Sequence, residues 1–394
     1  MKNTKQRTTF LGNRTAVPVR TFKGAAALIT AALLALLITA CPNASGGGNT
    51  GGGTTLTKVV YLAGSITTGG NPKPHYWKNG TKHELPMDSR MTRGLARSLT
   101  LKDGKAYSTG YEDASGESYA VVWKENNVHW KSPEGWTFAH AILTEGASLY
   151  IAGKLKKDGL GEASVADITD KTRVRIAHLH TREGTEEGSI AYGVCSSPSA
   201  LYAVGTIYNS DSSQTKGALW TINKALDKDS RTETELATGS SVHPKAVCLL
   251  DGTPYAAGRN AAGNAAVWKV TGTGSSAAIT ETELGTSAGS DATAVCTKDG
   301  LVFIGGMSND GKPCVWKGKD SSFTAIQLST ESGTVNALYV FGNDIYAAGF
   351  LYTGGGRKAA YWKFTSGITP DSDAQVTVLT DNNAEAFGIV VTME

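Results

Sequence analysis

The sequence predicts an all-β chain folded as a seven-bladed β-propeller, closed into a ring by its C-terminal strand. Three observations predict it. An aromatic-x-x-Gly element recurs at Gly64, Gly110, Gly153, Gly205, Gly258, Gly306 and Gly349. The intervals are 46, 43, 52, 53, 48 and 43 residues, the length of one four-stranded blade. A tryptophan, usually followed by lysine, recurs behind it at Trp77, Trp123, Trp220, Trp268, Trp316 and Trp362. The ends of the array are also complementary. The body begins on a second strand, TKVVYLAG (57–64), and finishes on a first, AEAFGIVVTME (384–394).

In chain order, residues 1–40 lie outside the fold. Six basic residues and no acid occupy positions 1–24, followed by the apolar run AAALITAALLALLIT (25–39). That run suits a signal peptide and falls short of the roughly 20 residues of a spanning helix. ITAC, ending at Cys41, resembles the lipobox of bacterial lipoproteins. The resemblance implies cleavage before Cys41, acylation of its thiol and a membrane partner through that lipid. With Pro42 next, the expected destination is the outer membrane. Residues 41–56 form a Gly/Ser/Thr tether, a flexible coil reaching about 20 Å. The full chain has 38 basic and 35 acidic residues; six basic ones lie in the leader, leaving 32 against 35. No basic patch survives to suggest nucleic acid.

Residues 57–394 carry the blades. A short alternating strand such as KAVCLL (245–250) opens each unit. KDGK (102–105), LDGT (250–253) and KDGL (298–301) then supply Asp-Gly, which tolerates positive φ in a hairpin turn. The aromatic-x-x-Gly strand follows, then a polar loop, the tryptophan strand and a last strand closing on Leu85, Leu236, Leu284, Leu328 or Leu379. Alternation along a strand puts Trp362 and Ala360 on one face and Lys363 on the other. The same small position is filled by Ala218, Ala266 and Cys314. The tryptophans therefore read as packing between blades, with the lysines wetting the outer face. The third blade departs, with Asp167 or Ile168 expected where tryptophan belongs.

These units resemble kelch-type propellers, although the glycine pair occurs only in FIGGM and the tryptophan sits in the third strand. YWKNG (76–80) is closer to a group of spirochaete-type bacterial lipoproteins with repeats of that kind. That resemblance covers 57–394 and implies a fold and an envelope location, but no activity.

Cys195, Cys248 and Cys296 fall on equivalent inner strands of adjacent blades, and Cys314 lies two strands from Cys296. A disulfide needs Cα atoms within about 7 Å, so the four are expected to be unbridged buried hydrophobes.

Little in the sequence points to catalysis. GTSAG (285–289) matches G-x-S-x-G around Ser287, but in a Gly/Ser loop rather than a strand–turn–helix. His178 and His180, with Glu183, Glu186 and Glu187 nearby, form the strongest metal-like grouping; an exposed outer strand is the simpler expectation. The remaining histidines share no spacing, and no cofactor is implied. The second-to-third-strand loops (65–74, 154–162, 206–217, 350–358) are long and diverse, which marks one face as elaborated. Trp136, Tyr208, Arg259, Tyr352 and Arg357, with Arg90 and Arg93, are the expected contact residues there, because aromatic and arginine side chains dominate interfaces. The inner strands read as Ala, Val, Leu and Cys, which favours a non-enzymatic binding scaffold for a protein or glycan. The alternative is a glycan-processing propeller enzyme with a polar site over the channel.

Overall fold

The computed structural model describes residues 56–394, apart from 115, 134, 158–159, 181–186, 210–214, 228–229, 240–241, 286–288 and 371–373. Cys41, the leader and Ser287 lie outside the described residues. Seven antiparallel four-stranded sheets are formed. Their inner strands are Ala384–Met393 for blade 1, then Arg93–Lys102, Trp136–Glu145, Glu187–Ser196, His243–Leu250, Asp291–Lys298 and Gly333–Phe341 for blades 2 to 7. Blade 1 joins both ends of the array: Lys58–Thr68 pairs with Ala384–Met393 from Lys58 opposite Met393 to Ile66 opposite Ala384. Among the described residues no helix is long and apolar enough to cross a membrane.

Local chemistry sets the hairpins. Asp103–Gly104, Asp251–Gly252 and Asp299–Gly300 all have positive φ, as a two-residue turn between twisted strands requires. Asn79–Gly80 does the same, so the NG of YWKNG is the turn between third and fourth strands. The expected loops at 65–74 and 350–358 are instead paired strand: Lys58–Thr68 meets Asn71–Lys78 across Gly69–Gly70, and Asp344–Thr353 meets Gly356–Thr365 across Gly354–Gly355. Those glycines have positive φ and close tight turns at the tips of long hairpins.

The core is a set of seven clusters, one per blade interface. Each repeat tryptophan packs against the preceding blade: Trp220 lies with Tyr150 and Val165, and Trp268 with Val204 and Leu219. Trp77, Trp123, Trp220, Trp268 and Trp362 are fully buried. Fully burying large apolar side chains stabilises by about 1.5–3 kcal/mol each. The lysines after them face outward into ion pairs, Lys78 with Glu394 at 2.5 Å and Lys363 with Asp344 at 3.2 Å.

Blade 3 corrects the expected register. Gly153 faces Ser164, which places Ala166 in the tryptophan position rather than Asp167 or Ile168. The space beside this alanine holds two indoles from elsewhere: Trp130 and Trp136 meet edge to face at 6.3 Å in the same cluster as Ala166 and Ile168. Trp136 is 1% exposed and donates its Nε1–H to the Phe138 carbonyl at 3.0 Å. It is a core residue and not part of a contact surface.

Blade 7 has a gap in its bonding. Trp220 and Trp268 donate Nε1–H to the acid directly across the strand, Glu233 at 2.8 Å and Glu281 at 2.9 Å. Trp362 faces Val376, and its buried Nε1 has no acceptor. Val376 is also 48% exposed. Val376→Glu is therefore expected to raise stability by about 1 kcal/mol, the net value of one hydrogen bond. A thermal melt equal to or below that of the parent would show that the indole is not short of a partner.

Candidate functional site at the axial channel

Every inner strand carries a β-bulge at one common height, and blade 3 has a second between Trp136 and Phe138. At the common height Cα pairing skips Phe387, Arg97, His140, Tyr192, Lys245, Thr293 and Asn336 in blades 1 to 7. A bulge sets two residues against one and re-aims a side chain out of the ladder. All seven line the same axial cavity, of about 450 Å³.

The repeat glycine makes this possible. Gly110 is opposite Ala96, Gly153 opposite Ala139 and Gly205 opposite Ala191, each the residue just before the bulge. A Cβ there would collide with the inner-strand carbonyl of Leu95, Phe138 or Ile190. The glycine lets the two strands close on one another while the next residue swings to the axis. Below the ring, the residue after each bulge is Ser, Ala or Gly and the next is Leu, Ile or Val, and these line a second axial cavity of about 250 Å³.

The apolar reading of the inner strands is thus corrected at one level of the channel. Among the described residues, Arg97, His140 and Tyr192 make no hydrogen bond or ion pair; their contacts are ring contacts. The Arg97 guanidinium lies 5.7 Å from the Tyr111 ring centroid and 5.6 Å from that of Phe387. His140 sits 5.1 Å from Tyr192. All three are half-buried, and Arg97 Nε is buried without a hydrogen-bond partner, so the ring turns uncommitted polar groups toward the cavity.

Cationic neighbours shape the electrostatics. Burial, then the charges of Arg97 and Lys154, push His140 down to about 3. Burial, then Lys245 and Arg259, lower His243 against the pull of Asp291. Both imidazoles are neutral at pH 7. Burial raises the Tyr192 hydroxyl, which stays protonated. Two acids sit at the rim, each already bonded: Asp291 to Lys245 at 2.5 Å and Arg259 at 3.4 Å, and Glu385 to Arg357 at 2.5 Å and Asn336 at 3.0 Å. One oxygen of Asp291, Oδ1, is buried without a hydrogen-bond partner.

The residues expected on the elaborated face separate into four groups. Tyr208 lines a neighbouring cavity of about 450 Å³ that shares Tyr192 and His243 with the first, and Lys154 lies over its ring at 5.7 Å. Arg259 and Arg357 hold the rim acids, and Tyr352 accepts a hydrogen bond from Arg357 at 3.3 Å while 48% exposed. Arg90 pairs with Asp88 at 3.1 Å and Arg93 with Asp113 at 2.8 Å, away from the channel lining. Tyr208, Arg259, Tyr352 and Arg357 are thus gathered near one mouth, while Trp136 is in the core.

The bulge residues were not singled out from sequence, yet a signal existed. Arg97, His140, Tyr192, Lys245, Thr293 and Asn336 each stand thirteen positions before the repeat glycine of their unit. Small residues flank most of them.

His178 and His180 do not share a site. His178 Nδ1 lies 3.0 Å from Glu162, while His180 is buried between Glu187 at 3.2 Å and Glu233 at 2.9 Å on blade 4. Burial opposes its charge, but Glu233 and Glu187 outweigh it and raise its pKa. Its setting is an inter-blade clamp rather than an exposed strand. Glu183 and Glu186 lie outside the described residues. Cys195, Cys248, Cys296 and Cys314 are free thiols. Burial pushes Cys195, Cys296 and Cys314 up to about 12, which leaves them as unreactive apolar groups.

No protein-family model matches the chain, and no curated protein matches it in sequence. Among solved structures it is similar to the crystal structure of a "putative 6-phosphogluconolactonase from Bacteroides uniformis", at 10% identity and a TM-score of 0.53, covering 85% of this chain and 99% of that one. It also aligns with the structure of YjhT at 10% identity and a TM-score of 0.45, over 74% of this chain and 99% of that one. At 10% identity the first likeness is one of fold, and it agrees with the strand order: the chain is a seven-bladed β-propeller.

Proposed function

We propose that this chain is an envelope lipoprotein, anchored through Cys41 and held off the outer membrane by its Gly/Ser tether, whose propeller is a non-enzymatic binding module for a glycan seated in the channel mouth. The observation that carries the reading is the ring of bulged side chains. Seven blades each spend one ladder position to aim a residue at a single cavity, and three of the polar ones are uncommitted. A cavity of this size, with aromatic walls and a few convergent polar groups, fits a small polar body better than a flat protein surface.

The alternative is a propeller enzyme acting on glycans over the same channel. Glycoside hydrolysis uses a carboxyl pair, one kept protonated by apolar surroundings. The two rim acids are instead engaged with cations, which supports binding. The neutral His140 and His243 are the feature that favours the enzyme reading, as candidate bases.

The test is calorimetry of the purified protein with a panel of neutral and acidic di- to tetrasaccharides, beside His140→Ala and with product analysis of each mixture. A saccharide bound by the parent, released unchanged and lost by a stable His140→Ala supports the module. Cleavage of the saccharide would transfer the assignment to the enzyme. Binding of no saccharide would refute the reading. In cells, Cys41→Ala is expected to move the protein from the membrane to the soluble fraction.

A further inference from the structure

Resting on that reading, we infer that the ligand is a sugar acid: a uronic-acid residue of a glycan, its carboxylate facing Arg97 and its hydroxyls facing His140, Tyr192 and Asp291. Arg97 is a permanent cation, and its guanidinium has rings near it but no counter-ion among the described residues. Its Nε is buried without a hydrogen-bond partner, and the natural complement of a guanidinium short of partners is an anion.

The axial cavity limits what that anion can be. Asp291 lines it, its Oδ2 held by Lys245 and Arg259. With Lys245 paired to Asp291, Arg97 is the one lining cation left to balance among the described residues, which suits a single negative charge rather than a compact dianion such as a phosphate monoester. A body with one negative charge and several hydroxyls satisfies both groups. Its hydroxyls can donate to Asp291 and exchange hydrogen bonds with neutral imidazole and phenol, which both donate and accept. Sugar acids meet that description.

A second cavity indicates that the acid is part of a chain. It adjoins the first through Tyr192 and His243 and holds Tyr208 and Lys154. Each measures about 450 Å³. Lys154, over the Tyr208 ring, adds a cation for the next carboxylate.

The experiment compares digalacturonate with the same disaccharide reduced at its carboxyls, titrated into the parent, Arg97→Met and Arg97→Lys, each checked by thermal melt. One charge-assisted pair corresponds to roughly tenfold to a hundredfold in affinity. The parent is expected to prefer digalacturonate by that factor. Arg97→Met is expected to bind both sugars alike, and Arg97→Lys to keep part of the preference. Equal binding of both sugars by the parent, or an unchanged preference in Arg97→Met, overturns the sugar-acid assignment and leaves the glycan module standing. Inorganic phosphate binding as tightly as digalacturonate would show a general anion hole and also overturn it. Binding of neither sugar overturns this inference, and the reading beneath it falls with it only when the wider saccharide panel also goes unbound.

Discussion

Deleting residues 384–394 is expected to abolish cooperative folding, although it removes a single strand. That strand supplies the inner edge of blade 1 and joins blade 7 to blade 2. Ile389, Val390 and Val391 are 4%, 2% and 1% exposed and sit in two different interface clusters. Burying three such side chains stabilises by roughly 5 kcal/mol or more, against a net stability of about 5–15 kcal/mol for a typical folded protein. The deletion also uncovers the edge of Lys58–Thr68, an apolar strand with its ladder groups unpaired. Loss of the sharp thermal transition and aggregation are the expected results. A synthetic peptide of residues 384–394 added in trans should restore the transition. A truncated protein melting sharply near the parent temperature would mean that the ring does not depend on its closure.

Gly205→Ala is expected to cost about 1–3 kcal/mol, the usual range for forcing atoms into a packed interior, and Gly205→Val more. Gly205 is opposite Ala191, and any Cβ there meets the Ile190 carbonyl oxygen, with the Ala191 Cα close behind. Both are backbone atoms of a paired strand and cannot turn aside as a flexible side chain would. Relief requires the inner strand of blade 4 to move away from Gly205, toward the axis, which takes Tyr192 with it. The substitution should therefore weaken saccharide binding as well as stability, at a position that touches no ligand. Gly367 is the control: its Cβ would find only Thr365 Oγ1, at 3.6 Å. Gly367→Ala should stay within about 0.5 kcal/mol of the parent. Equal melting temperatures for the two variants would show that the repeat glycine marks the strand without shaping it.

By itself the sequence determined the blade. Local rules carry it: the period of the aromatic-x-x-Gly strand, Asp-Gly and Asn-Gly turns, and an apolar tryptophan face with lysine opposite. Such features depend on near neighbours, so they can be read off one strand at a time. Closure was legible too, because one end of the array lacks the strand that the other end supplies. Where a neighbour is missing, local reading slipped. Blade 3 has no tryptophan to fix its register, and only pairing with Ser148–Lys157 puts Ala166 in that place. Trp136 looked like a surface anchor because nothing local says that blade 3 leaves a space beside it. The site was decided by tertiary structure, although the constant spacing before the repeat glycine marks its members in sequence. A single Arg97, His140 or Tyr192 between small residues is unremarkable in its own strand. Ring closure brings positions 97, 140, 192 and 245 to one cavity, though they are separated by whole blades in sequence. A bulge breaks the two-residue alternation on which strand reading relies, so the side chains aimed at the axis are those that the alternating pattern assigns to neither face.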